Sequence, residues 1–192
     1  MLSDLLKKMK GRSEMSDFSS TVPPVLLESI AGLKAHDVDK IATTVGEDLR
    51  FITQASIVNK GRFLSFLRVL YAAFPDWHYD HDEPELQGNI IAVKWRQGGT
   101  HTGTLALPGM DAVPATGKKV TIPEQFFFYR VRGDKIVEIR PDPIAGGAPQ
   151  GIFEQIGVEW PKGGNNDYSK RRFKGGRSRC GIRSRGVEKG KE

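Results

Sequence analysis

The chain predicts an α+β domain in which helices pack on the concave face of a strongly curved antiparallel sheet, forming a cone. Three observations predict it. Helical spacing of apolar residues dominates positions 24–74, strand alternation dominates 77–140, and a short apolar helix closes the order. A sheet curved around helices leaves a hollow between them, which is the natural place for a ligand.

The helical half comes first. Thr21-Val22-Pro23-Pro24 opens a helix, because proline fits a first turn. Leu26, Ile30 and Leu33 then fall at i, i+4 and i+7, giving a helix over 24–35. His36-Asp37-Val38-Asp39 breaks it, and a shorter helical piece carrying Val38 and Ile41 follows. Leu49 to Thr53 reads as a first short strand. Asn59 caps the clearest helix, with Phe63, Phe66, Leu67, Leu70 and Phe74 on one stripe and Arg62, Ser65 and Arg68 opposite. Pro75 stops it.

From Asp76 the period changes. Trp77 to Asp80 is strand-like, Glu83-Pro84-Glu85 turns, and Asn89 to Gln97 alternates around Ile91, Val93 and Trp95. Gly98-Gly99 predicts a hairpin, with Thr100 to Leu107 returning. A loop with Pro108, Gly109, Pro114 and Gly117 leads to a long strand, Lys118 to Arg132. Gly133-Asp134 turns tightly into a last strand, Lys135 to Arg140. Gly146-Gly147-Ala148-Pro149 then leads into a helix around Ile152 to Ile156, with Gly157 as its C-cap.

Composition bounds the rest. A chain of 192 residues supports one domain with a real core. Its net charge of +6 is uneven: residues 161–192 hold 11 basic against 3 acidic side chains, whereas 22–160 hold 14 against 17. The organisation expected is a flexible leader over 1–21, a cone domain over 22–160 and a disordered basic tail over 161–192, where little apolar surface exists to offset the entropy of folding. Leu2, Leu5, Leu6 and Met9 could make a short amphipathic helix, read as a frayed leader or a weak surface anchor. The tail suits contact with nucleic acid or anionic lipid, or simply solvation; its one Phe173 is too little for stacking on single strands. A single cysteine, Cys180, and the lack of a bilayer-length apolar run fit a reducing, cytoplasmic setting. No His, Cys and carboxylate spacing suggests a metal, no glycine loop suggests a phosphate cradle, and no Ser or Cys motif suggests a nucleophile.

The element order and five short motifs resemble the SnoaL-like polyketide cyclase family, within the ketosteroid-isomerase and nuclear-transport-factor superfamily. They are Phe74-Pro75-Asp76; Gly99-Thr100-His101-Thr102-Gly103; Pro114-Ala115-Thr116-Gly117-Lys118; Tyr129-Arg130 with Gly133-Asp134-Lys135-Ile136-Val137-Glu138; and Glu154-Gln155-Ile156-Gly157. The resemblance spans roughly residues 24–157. It implies acid/base chemistry on a carbon acid activated by a carbonyl, without metal or organic cofactor, by an acidic residue near the end of the last strand. Asp142 stands at that position. It implies as well a homodimer packed sheet face to sheet face. Because the scaffold hosts several activities, an epoxide hydrolase, an isomerase or dehydratase and a non-catalytic small-molecule binder stand beside a cyclase closing an aldol or a lactone or pyrone ring.

The candidate residues are read from their settings. Asp142, between Pro141 and Pro143, is either a carboxylate held at a fixed angle for proton transfer or a strand-end cap. His101, between two threonines, is either an oxyanion donor or a satisfied core histidine. Arg140 is expected to share a strand face with Asp142 as a catalytic partner, or to form a structural ion pair; Arg96 competes with it as an anion clamp. Trp95, Tyr71, Phe126, Phe128 and Tyr129 are candidates to line a pocket for a flat polyketide-like substrate, with Trp77 at its mouth, against the ordinary reading of aromatics as core.

Overall fold

The computed structural model describes residues 21–159, so the readings of the leader and of the basic tail lie outside the described residues. Helix α1 (Pro24–Lys34) starts on its proline and buries Leu26 and Ile30. It ends at His36, whose φ of 55° turns the chain and whose Nε2–H donates to the Trp77 carbonyl at 2.5 Å. Helix α2 (Val38–Thr44) is capped by Asp37, which accepts from the Lys40 N–H at 2.8 Å, and runs directly into β1 (Val45–Ile52). After β2 (Ile57–Val58), the Asn59 side chain caps α3 (Lys60–Ala73), which buries Phe63, Leu64, Leu67, Leu70 and Ala73.

The strands that follow are β3 (His78–His81), β4 (Glu85–Gln87), β5 (Ile90–Thr100), β6 (Lys119–Arg132) and β7 (Lys135–Pro141), and α4 (Gln150–Ile156) ends on Gly157 at φ 87°. The sheet order is β2-β1-β7-β6-β5-β3, with β4 also on β5. Register shifts between Trp95 and Gln97 and between Arg130 and Val131 bend the three long strands around the helices. The result is the α+β cone expected from the sequence. The sheet is mixed rather than wholly antiparallel, because β1 pairs with β7 in parallel.

One expected element is absent. Gly98-Gly99 makes no hairpin: β5 runs through both glycines to Thr100, and His101 to Leu107 is a loop with a single bridge, Leu105 to Val113. The two glycines serve close approach instead of a turn. A Cβ on Gly98 would stand 2.5 Å from the Val120 carbonyl oxygen, and one on Gly99 would stand 3.1 Å from Trp77. The turn that does precede β5 uses Gly88, at φ 65°. The core divides in two. One cluster lies between α1, α3 and the sheet, around Leu26, Phe63, Trp95 and Tyr129; the other lies toward α4, around Phe74, Trp77, Leu105 and Phe153.

Candidate functional site: an apolar hollow beside a polar cleft

The concave face encloses a hollow of about 60 Å³. The stride of two along β5 and β6 sends Trp95 and Gln97, and Phe127 and Tyr129, to the same side, opposite Phe63 and Leu67 of α3. The indole of Trp95 donates from Nε1 to the Tyr129 hydroxyl at 3.0 Å, and the Tyr71 hydroxyl donates to that of Tyr79 at 3.4 Å. Burial pushes the Tyr79 and Tyr129 phenols well above their ordinary value of 10, and it pushes Tyr71 up to about 12. All three stay protonated donors. Among the described residues, no carboxylate and no imidazole lines this hollow.

A polar cleft of about 390 Å³ lies on the other side of Ala148 and Pro149, which border both spaces. The turn after β1 (Thr53 to Ala55) forms one wall; Gln125, Pro141 to Gln150 and Glu154 form the rest. Asp142 is half-buried in it. Its N–H donates to the Phe126 carbonyl at 2.8 Å, and its own carbonyl accepts from Gln125 Nε2 at 2.7 Å and from the Ile144 N–H at 3.0 Å. Buried Gln125 also takes the Ala148 N–H on Oε1 at 2.8 Å, so one side chain fixes both ends of the 142–148 loop. Glu154 brings a second carboxylate to the cleft and accepts from Gln150 Nε2 at 2.7 Å.

The other expected site residues fall elsewhere. His101 is not on a strand and is fully buried in the second core cluster, stacked on Phe74 at 5.0 Å. The Thr116 N–H points at its Nδ1 at 3.3 Å, so Nδ1 accepts and the ring proton sits on Nε2, which is buried without a partner among the described residues. Burial lowers its pKa, and it lines neither space. Arg140 does not join Asp142 in the cleft; its guanidinium lies over the Phe128 ring, 5.3 Å from the centroid, on the outer face of the sheet. Phe126 is on that face too, stacked with Phe128 and covered by Lys94.

Arg96 holds Asp80 at 3.0 Å and Asp82 at 2.7 Å, and the guanidinium keeps both carboxyls below the usual range. Trp77 is buried against Phe74 and Tyr79, and Tyr71 stands behind Tyr79, stacked on His36. Of the expected lining residues, Trp95 and Tyr129 face the hollow. Sequence reading missed Tyr79, Gln97, Ser29, Gln125 and Glu154. Gln97 was the legible one: it lies two residues after Trp95, a polar group on an apolar stride.

The sequence matches the SnoaL-like domain family over residues 26–139, more than half of the chain. The chain belongs to that family. The match ends before Asp142. A search of curated proteins found no match. Several solved structures share the fold. AclR from Streptomyces galilaeus, a proposed hydroxylase, is 20% identical with a TM-score of 0.52, covering 62% of this chain and 72% of its own. A proposed SnoaL-like polyketide cyclase from Jannaschia sp. CCS1 is 20% identical with a TM-score of 0.51, covering 64% and 88%. A proposed polyketide cyclase from Pseudomonas putida KT2440 is 16% identical with a TM-score of 0.50, covering 68% and 94%.

Proposed function

We propose that this protein is a polyketide-type cyclase that closes a ring on a carbonyl-bearing small molecule by acid/base chemistry, with Asp142 as the group that moves the proton. The observation that carries the proposal is the placement of Asp142. It is half-buried in a cleft large enough for a small metabolite, with its backbone held by three hydrogen bonds and flanked by two prolines.

The steps are simple. The Asp142 carboxylate takes a proton from a carbon next to a carbonyl; the resulting enolate attacks a second carbonyl of the same molecule, forming the ring bond. The carboxylic acid then returns its proton to the new alkoxide. Holding both carbonyls folded in one cleft makes the attack intramolecular. Glu154, in the same cleft, would orient the substrate or a water. On the outer face, the half-exposed Phe126 and Phe128 support a homodimer packed through the sheets.

Asp142→Asn tests the proposal on a panel of linear poly-β-ketones. Ring formation should fall by roughly 10²–10⁴-fold, with far-UV circular dichroism and ligand affinity unchanged. Unchanged ring formation removes Asp142 from the chemistry. One observation favours a second reading, a non-catalytic binder: among the described residues, the hollow itself carries no carboxylate or imidazole. Ligand binding that survives Asp142→Asn, with no turnover of any ketone by the native protein, selects that reading.

A further inference from the structure

His101 ties together the two ends of the irregular segment between β5 and β6. Its backbone N–H donates to the Lys118 carbonyl at 2.9 Å, and its carbonyl accepts from the Gly117 N–H at 2.9 Å. Its Nδ1 stands 3.3 Å from the Thr116 nitrogen and 3.0 Å from the Thr116 hydroxyl, which accepts from the Lys118 N–H at 3.3 Å. Next to it, the Thr102 and Gly103 N–H groups both donate to the Ala73 carbonyl, at 3.1 and 2.9 Å. Between these anchors the segment carries the Leu105–Val113 bridge. Leu105 is 1% exposed, and with Leu107, Met110 and Val113 it packs on the second core cluster, which holds Phe74, Trp77 and Phe153.

This arrangement requires a neutral ring. The Thr116 N–H can only donate, and the hydroxyl gives its proton to Nδ1 while accepting from Lys118. A proton on Nδ1 would turn the shared acceptor into a donor that faces the Thr116 N–H. Nε2–H, buried without a partner among the described residues, offers the cation nothing on its far side. No charge compensates it either. The ionisable groups on the surrounding elements are Asp76 and His78 beyond α3, Asp111 in the segment, Lys118 and Lys119 leading into β6, and Glu154 on α4. None of them bonds to the imidazole: Asp76 takes the Thr100 N–H, and Lys118 Nζ donates to the Ile156 carbonyl at 3.2 Å. An unpaired buried charge is costly, and opening the segment relieves it.

We propose that His101 is an acid-released latch: protonation of Nδ1 frees residues 104–117, hinged at the Gly103–Ala73 contact, and uncovers the second core cluster while the rest of the fold stays closed. The latch does not depend on the chemistry of Asp142. Burial holds the closed ring below its ordinary 6.5, whereas the open segment leaves the ring in water. Opening therefore becomes easier as pH falls below 6.5. Between pH 7.5 and 5.5 the opening equilibrium should rise by up to about tenfold.

Hydrogen–deuterium exchange of the full-length protein, corrected for intrinsic rates at each pH, tests the latch. Protection of the Leu105, Val113, Thr116 and Gly117 amides should fall by roughly five- to tenfold from pH 7.5 to 5.5. Their exchange should be insensitive to low urea, as local opening is, and faster than that of Leu67 and Leu70 in α3, which wait for global unfolding. His101→Gln keeps an acceptor for the Thr116 N–H but cannot titrate, so its segment should hold the same protection at every pH. Should that variant fail to fold, ¹⁵N-histidine spectra of the native protein read the ring directly. They should show the Nε2–H tautomer at pH 7.5.

Segment amides that exchange only together with Leu67 and Leu70, with the same urea dependence, overturn the latch. So does protection that is constant with pH in the native protein, a fall that survives His101→Gln, or the Nδ1–H tautomer at pH 7.5.

Discussion

Asp142 and His101 illustrate how burial and hydrogen bonding separate two residues that looked alike as candidates. Asp142 keeps access to a cleft while its backbone is fixed by Gln125, so its carboxylate is placed without being consumed. Gln125→Glu keeps the volume but removes the two N–H bonds to the Asp142 and Ala148 carbonyls. It should destabilise the protein by about 2–3 kcal/mol in urea titration and lower kcat more than it changes KM. His101 instead closes a core contact. Its folded pKa lies below its ordinary 6.5, so the fold favours the neutral ring. That contribution is fully present above pH 6.5 and is lost as pH falls through the unfolded and then the folded value. Urea midpoints of the native protein should drop between pH 7 and 5, and His101→Gln should flatten that limb; equal slopes would show that another group titrates there.

At the scale of elements, apolar spacing was enough to read α1, α3 and the β6–β7 hairpin from the sequence, because each buries one periodic face. The Gly98-Gly99 pair misled because glycine marks either a positive φ or a close approach, and only the packing of β6 and Trp77 distinguishes them. Gly103 makes the same point more sharply, since a Cβ there would stand 2.0 Å from the Ala72 carbonyl oxygen at the end of α3. Gly103→Ala should cost about 1–3 kcal/mol by thermal or urea unfolding, as overpacking does. The parallel pairing of β1 with β7 was not legible, because alternation shows which face of a strand is buried and not its neighbour. The same limit hid the site. Arg96 read as an anion clamp until the β3–β5 register brought Asp80 and Asp82 beside it. Arg140 read as a partner of Asp142, but the β6–β7 register sets it opposite Phe128.

The whole molecule is a cone of the SnoaL-like family with a polar cleft, an apolar hollow and a broad outer sheet face. That face carries Phe126 and Phe128, stacked with centroids 6.3 Å apart. In the proposed dimer these rings are covered, so Phe126→Glu together with Phe128→Glu should halve the mass seen in sedimentation velocity, while far-UV circular dichroism is unchanged. An unchanged mass would take the outer face out of assembly.

The central claim is that Asp142 moves a proton at a carbon next to a carbonyl. It can be tested without knowing the natural substrate, by following hydrogen–deuterium exchange at the carbons next to the carbonyl of small acyclic ketones in heavy water by NMR. The native protein should accelerate exchange over buffer, and Asp142→Asn should remove the acceleration while leaving the fold and ketone affinity intact. Exchange that proceeds equally fast in the Asp142→Asn protein, or that no form of the protein accelerates, would contradict it.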